Sequence, residues 1–420
     1  MNILASSASG LRWLVLDLNS FFASCEQQEN PGLRGLPIAI APMLSDSTCA
    51  IAASYPAKAC GIKTGTPIYE AKRLCPGLRV VVARHKLYVA YHHRILAAIN
   101  DCIPIADTLS IDEVSCRLDR NEEDPVAASA LAKRIKQSIR DQVGICMTSS
   151  IGIASNILLA KLASDMQKPD GLTLLPSASL PQSIAHLPAQ AICGVGRNMA
   201  RRLAAQGIQT IGDLWQRDSH QLRQIWGGIH GVRFHALLHG ADLPRIEHPR
   251  RSISHQHVLP PWERSLAAAT PVLRQLLARA AERLRHEDYY CRRLSVGIKW
   301  LHHTGHWRQD LACQETQDTA LLLRGLTQLL TSAPALAPLR VGVVLSDLVP
   351  TTQHQGDLFA ARPPPARRFG KPPPPALAHA IDAINGAYGR GMLHYGLEER
   401  SLRQMGSKIA FQRVPDLNEF

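Results

Sequence analysis

Near its start the chain places a carboxylate inside an apolar run, and few folds tolerate that. The stretch Val15-Leu16-Asp17-Leu18-Asn19-Ser20-Phe21-Phe22-Ala23-Ser24-Cys25-Glu26 reads as the end of a central strand, residues 13–18, passing into a helix from Phe21 to Gln28. A buried strand keeps an aspartate only if the charge is paired, hydrogen-bonded or metal-bound. A second run, TLSIDEVSCRL from Thr108 to Leu118, alternates as a strand and holds two adjacent acids. Side chains alternate on a strand, so Asp112 and Glu113 point to opposite faces unless the strand ends or bulges there. Three carboxylates near two strand ends form the oxygen-rich set that holds Mg²⁺ together with waters and substrate phosphates. Two such ions activate an attacking hydroxyl and stabilise a leaving pyrophosphate. For either stretch taken alone, acids hydrogen-bonded to turns are the simpler account.

A chain of 420 residues exceeds one ordinary core and implies two to four units. From Pro31 to about Arg84, short strand-like pieces (PIAIA, CAIAAS, LRVVVA) alternate with Gly and Pro around one helical piece near 67–74, a small α/β insert. Helical spacing over Leu87–Ile99 and Pro125–Gln142, a strand over Cys146–Ala154 and a helix from Asn156 complete a layered first unit ending near Leu175. Residues 180–240 look helical. Residues 252–349 read as strand, long helix (263–287), two strands around a turn, helix and strand (339–347), a split β-α-β with helices on one face of an open sheet. Ala361–Ala376, with PPP and PPPP, reads as a stiff linker, and ALAHAIDAINGAYGRG as a helix ending at Gly386. The ten cysteines form no C-x-x-C pair, which favours reduced thiols. No apolar run approaches the roughly 20 residues of a bilayer span, and the N-terminus lacks an export pattern. The expectation is a cytoplasmic protein.

Lys and Arg number 47 against 34 Asp and Glu, a net charge of +13 that suits a polyanionic partner. Between Arg245 and Arg308 there are twelve Arg and Lys against five Asp and Glu, so much of the surplus lies there. The turn Ile192-Cys193-Gly194-Val195-Gly196-Arg197 offers backbone N–H groups to a DNA phosphate, with Arg201 and Arg202 close behind. On its own a Gly-x-Gly is more simply a structural turn. His302, His303 and His306 lack a Cys or acid to complete a metal set and read as a hairpin turn.

The flanking residues add a resemblance over nearly the whole chain, to the Y-family, or translesion, DNA polymerases. DLNSFFASCE is similar to that family's first metal motif and LSIDEVSCRL to its second. SYPAKACGIKTGTPIYEAKRLCP resembles the fingers segment and SSIGIASNILLAKLASDMQKPDG the closing palm motif. ASCE, AAERLRHEDYYCRRLS and NGAYGRGMLHY are similar to the UmuC type, the catalytic subunit of bacterial DNA polymerase V.

The resemblance implies an α+β, multidomain right hand: palm at 1–28 and 87–175, fingers at 29–86, a helix-hairpin-helix thumb at 176–245, a linker at 246–251, a little finger at 252–349 and a tail at 350–420. It implies Asp17, Asp112, Glu113 and the Leu18 carbonyl as ligands of two Mg²⁺, or Mn²⁺, ions. Phe22 falls at the steric gate against ribose, and Phe21, Tyr55, Lys58 and Lys161 at nucleotide-contacting positions. Gly194, Gly196, Arg197, Arg250, Arg251, Arg292 and Arg293 become DNA contacts. Gln355-Gly356-Asp357-Leu358-Phe359 resembles the sliding-clamp peptide, with Gln355 and Asp357 polar and Leu358 and Phe359 apolar anchors. Implied partners are primer-template DNA, dNTPs, the bacterial clamp and, for the UmuC type, a UmuD-like dimer and a RecA filament, with no membrane. The segment after Arg362 is the candidate partner region. Departures from the family pattern are Asn19, Ala52, Pro56 and Lys58, the last a point charge in place of a bidentate Arg. A non-catalytic polymerase-like mutagenesis adaptor is the alternative, and retention of the three acids argues against it.

Overall fold

β1 (Trp13–Leu18) is the middle strand the sequence calls for: Leu14, Val15 and Leu16 are at most 1% exposed, and β1 has neighbours on both edges. The computed structural model describes residues 10–246, 249–354, 374–389, 392–396 and 414. It divides into two units, one ending at Arg245 and one beginning at Ile246.

After β1 the chain turns through Ser20, at φ 49°, into α1 (Phe21–Glu29). A small sheet follows, β2 (Ile38–Ala41), β3 (Ala52–Ala53) and β4 (Arg79–Val82) in the order β3-β2-β4, with α2 (Tyr55–Ala59) and α3 (Ile68–Leu74). Its core is mostly alanine, including Ala39, Ala41, Ala53, Ala57 and Ala71, which lets thin elements pack closely. The chain then returns through α4 (His85–Asn100), β5 (Ile105–Thr108), β6 (Glu113–Arg117), α5 (Pro125–Gln142), β7 (Ser149–Ala154), α6 (Ile157–Met166) and β8 (Leu172–Leu175). Together with β1 these strands form the main sheet, in the order β5-β6-β1-β7-β8. β1 is antiparallel to β6 and β7, and β8 is parallel to β7.

α6 lies on β7 with almost nothing between them. A Cβ on Gly152 would fall 2.1 Å from the Ala160 carbonyl oxygen and 2.2 Å from the Ser164 nitrogen, so helix and strand touch backbone to backbone. Asn156 caps α6 by accepting from the Leu159 amide at 2.9 Å, and its own amide donates to the Leu237 and Ala241 carbonyls at 2.7 and 3.0 Å. Those carbonyls belong to the end of a helical group, α7 (Arg197–Ala204), α8 (Ile211–Trp215), α9 (Ser219–Trp226) and α10 (Ile229–Leu238), so one buried side chain ties that group to the sheet.

The second unit contains β9 (Ser252–Val258), α11 (Leu266–His286), β10 (Tyr289–Trp300), β11 (His306–Thr316), α12 (Thr319–Leu330), β12 (Pro338–Ser346) and β13 (Val349–Pro350). Its antiparallel sheet runs β11-β10-β12-β9, with α11 and α12 supplying much of its core. α13 (Pro374–Tyr388) joins this unit. Arg285, 5% exposed, donates to both Asp382 oxygens at 2.5 and 2.8 Å, and also to the Gln317 carbonyl and the Thr319 hydroxyl.

Several expectations change. TLSIDEVSCRL is not one strand: it holds the end of β5 at Thr108, a turn and then β6, because the Leu109 and Ser110 amides both donate to the Glu113 carbonyl and close that turn. The strand expected from Cys146 begins at Ser149, after a turn in which the Met147 amide donates to Gly144. α13 runs through Gly386 and ends at Tyr388, where Gly389 takes a left-handed φ of 104°. α2 and β8 are too short for periodicity to reveal. Gln355, Asp357, Leu358 and Phe359 lie outside the described residues. All ten cysteines are free thiols. Among the described residues no helix is long and apolar enough to cross a membrane.

Candidate active site

The turn between β5 and β6 makes the acid cluster possible. Asp17 and Glu113 are direct cross-strand partners, so their side chains rise on one face of the sheet. Asp112 precedes the first residue of β6 and escapes strand alternation; its carbonyl accepts from the Leu18 amide at 2.8 Å. Its carboxylate accepts from the Ser110 hydroxyl at 2.5 Å.

Two lysines neutralise the acids. Lys161 Nζ lies 2.5 Å from Asp17 Oδ2 and 2.7 Å from Glu113 Oε1, and Lys168 Nζ lies 2.7 Å from Asp17 Oδ1. Asp165 restrains both, at 3.4 Å from Lys161 and 2.8 Å from Lys168. Burial alone would raise the Asp17 pKa, but Lys161 and Lys168 overcome it and hold the carboxyl below its ordinary value. Burial wins at the other two: Asp112 and Glu113 are both raised, against the opposing pull of Ser110 on one and Lys161 on the other.

Among the described residues no three His, Cys, Asp or Glu side chains form a ready-made metal cage. Asp17 and Glu113 nevertheless converge on a single cation, the Lys161 ammonium, and all the donors are oxygens. That fits a hard divalent ion once Asp112 turns from Ser110.

The flanking groups fall into layers. Phe21 is 3% exposed and lies in the core, where α1 turns it inward with Cys25. Phe22 is partly exposed and stacks on Tyr88 at 4.6 Å. The Tyr88 hydroxyl donates to the buried Glu26 at 2.8 Å, and Arg84 clamps the same carboxylate. Tyr55 opens α2 and Lys58 Nζ sits 4.6 Å over its ring. Burial, then the nearby Lys168, lower the Lys58 pKa against the attraction of Asp17 and Asp112. Lys161 and Lys168 therefore contact the acidic centre directly, and Lys58 feels its charge.

Lys168 and Asp165 are site residues to which the sequence alone assigns no role: the i,i+4 spacing of Lys161 and Asp165 on α6 is readable as an ordinary helical pair, and nothing near Lys168 points to Asp17. Asn19 is 1% exposed and points inward, donating to Ser150 at 3.0 Å and accepting from the Asp170 amide at 2.7 Å. It fastens the end of β1 to the loop that carries Lys168.

The expected DNA contacts are more dispersed. Gly194, at φ 94°, and Gly196 precede α7, which begins at Arg197. At the adjoining Cys193, burial first and then the charge of Glu113 push the thiol up, with Lys161 opposing. In the second unit Arg250 pairs with Glu287, Arg292 with Glu315 and Arg293 with Asp347, while Arg251 is exposed. Three of the four are thus partly offset by acids.

A sheet presenting paired carboxylates, a small α/β lobe and a helical lobe are the parts of a right-hand DNA polymerase. The impB/mucB/samB family matches residues 16–165, its C-terminal domain 250–358 and the DNA polymerase-iota thumb domain 190–242. DNA polymerase IV of Moorella thermoacetica is 35% identical over 391 residues, 91% of this chain and 94% of that protein. DNA polymerase IV of Pelotomaculum thermopropionicum is 34% identical over 355 residues, 82% and 87% of the two chains. A solved Y-family DNA polymerase chimera is similar with a TM-score of 0.68 at 25% identity, over 80% of this chain and 99% of its own. The chain belongs to the impB/mucB/samB family of Y-family DNA polymerases. It is a DNA-directed DNA polymerase with palm, thumb and little finger, of a class that carries out translesion synthesis and depends on divalent metal.

Proposed function

We propose that this chain performs template-directed, low-fidelity synthesis past damaged bases, with Asp17, Asp112, Glu113 and the Leu18 carbonyl holding two Mg²⁺ or Mn²⁺ ions. The observation that carries this is the shared cation: Asp17 and Glu113, opposite each other on β1 and β6, both reach Lys161 Nζ. When bound, the ions supply activation of the primer hydroxyl and neutralisation of the leaving pyrophosphate. Lys58, Lys161, Lys168 and Tyr55 take the triphosphate of the incoming dNTP, its anion replacing the carboxylates as partner to the lysines. Phe22, backed by Tyr88, closes the space beside the sugar. Gly194, Gly196 and Arg197 hold the duplex backbone, with Arg250, Arg251, Arg292 and Arg293 adding sequence-independent attraction. The domain limits proposed are those of the sequence reading: palm 1–28 and 87–175, fingers 29–86, thumb 176–245, little finger 252–349.

The test is primer extension by the purified chain on undamaged and abasic templates with Mg²⁺ and dNTPs. Extension past the abasic site is expected, and chelation abolishes it. No extension under any metal or clamp supplement would overturn the proposal in favour of the adaptor.

QGDLF supports a bacterial sliding clamp as partner, acting in the cytoplasm on the nucleoid. Leu358→Ala/Phe359→Ala should remove at least about tenfold of any stimulation by clamp, an anchor pair of hot-spot size, while leaving clamp-free extension unchanged. Equal stimulation of both chains would exclude the peptide. The SOS role and the UmuC type, with a UmuD-like dimer and RecA, rest on ASCE, AAERLRHEDYYCRRLS and NGAYGRGMLHY alone. The relatives compared above are named DNA polymerase IV, which favours the broader assignment.

A further inference from the structure

The turn that lifts Asp112 and Glu113 is fastened from behind. Its own bonds engage Leu109, Ser110, Asp112 and Glu113, and the Ile111 carbonyl takes no part in them. That carbonyl meets His92 Nδ1, on α4, at 2.7 Å. His92 is 4% exposed and Ile111 6% exposed, so water does not substitute for either partner. A carbonyl only accepts, so Nδ1 carries the proton. His92 lies one helical turn after Tyr88, whose ring backs Phe22. One face of α4 therefore supports the turn bearing Asp112 and, four residues earlier, the aromatic beside the nucleotide.

We infer that His92 is a positioning residue for the acid pair, its Nδ1–H holding the Ile111 carbonyl so that Asp112 and Glu113 stand at the depth at which they share a cation with Asp17. The inference rests on the polymerase reading above. Without the bond, the buried Ile111 carbonyl loses its partner, a desolvation cost that the turn can avoid by shifting toward water. The carboxylate one residue further on moves with it.

Three variants separate positioning from packing. His92→Leu fills the space without a donor, His92→Asn keeps an N–H near the place of Nδ1, and His92→Gln is polar with its donor displaced toward the place of Nε2. Binding of Mn²⁺, read by electron paramagnetic resonance without DNA or nucleotide, should weaken roughly tenfold in the Leu and Gln chains, as for other groups that orient metal ligands. Asn should restore it to within about threefold of wild type, on that same scale. Extension should show kcat falling in parallel, with KM for dNTP unchanged and the half-saturating Mg²⁺ raised. If the Leu chain does not melt cooperatively, Asn against Gln decides the matter. Equal Mn²⁺ affinity in wild type, Leu and Gln, or equal loss in Asn and Gln, overturns the inference. A wild-type chain that neither binds Mn²⁺ nor extends primers overturns the polymerase reading instead, and the two failures are distinguishable.

Discussion

Asp112→Asn/Glu113→Gln should extend primers at least about a thousandfold more slowly than wild type, because groups aimed at developing charge are worth on the order of 10²–10³ each. Its melting temperature should be unchanged or higher. Both acids have pKa values raised by burial, so in the folded chain their ionised forms are held against a desolvation penalty. A group whose folded pKa is raised costs stability above that pKa, and the cost falls away as pH drops through it. Amides of the same shape remove the penalty at neutral pH. Lys161 keeps Asp17 and Asp165 as partners, so no buried charge is orphaned. Asp17→Asn should behave in the opposite way. The Asp17 pKa is depressed, so its pairs stabilise the fold above the unfolded pKa and lose that effect as pH falls through the folded one. Its loss leaves Lys168 with Asp165 alone and should lower the melting temperature as well as the rate. Thermal melts of both variants at neutral pH, beside single-nucleotide extension, check the pair of signs. A double variant that extends normally would remove these acids from the chemistry.

Phe22→Ala should admit ribonucleotides, with discrimination between dNTP and rNTP falling on the order of a hundredfold. A ring that cannot yield to an added hydroxyl imposes an overpacking cost of about 1–3 kcal/mol, and the upper part of that range corresponds to a hundredfold. This ring cannot yield readily. Tyr88 stacks against it, and the Tyr88 hydroxyl is fixed by a Glu26 carboxylate that Arg84 also grips. Phe22→Tyr should keep discrimination, since it preserves the plane of the ring. Steady-state incorporation of matched dNTP and rNTP measures the ratio. Unchanged discrimination in the alanine chain would place the ring away from the sugar.

Much of this site was legible in the sequence because burying charge leaves a pattern. An aspartate within VLDL and a pair of acids within SIDEV are costly unless they meet, and the structure sets Asp17 against Glu113 across two strands. Helices with clear punctuation were equally legible: α5 begins at Pro125 beneath the Asp124 cap and spans the expected residues. What periodicity missed were connections made by single side chains. The break at Leu109–Asp112 depends on two amides reaching the Glu113 carbonyl, and α2 is five residues long. Lys168, Asn19 and His92 have ordinary neighbours in sequence, and their partners Asp17, Ser150 and Ile111 lie on other elements, while Asp165 pairs with Lys161 and Lys168 of its own segment. Phe21 and Phe22 look alike in sequence, yet helix geometry sends one into the core and leaves the other partly exposed.

The bare contact of α6 with Gly152 has a mechanical consequence. The spacing of the acids is set by the β1–β6 ladder, and the height of Lys161 above them by a backbone contact with no room even for a methyl group. Neither distance can be adjusted by sliding the helix. The remaining freedom in that direction lies in the torsions of the lysine side chain itself, so the ammonium can withdraw from the acids and return within the time of a rotamer change, on a frame that stays still.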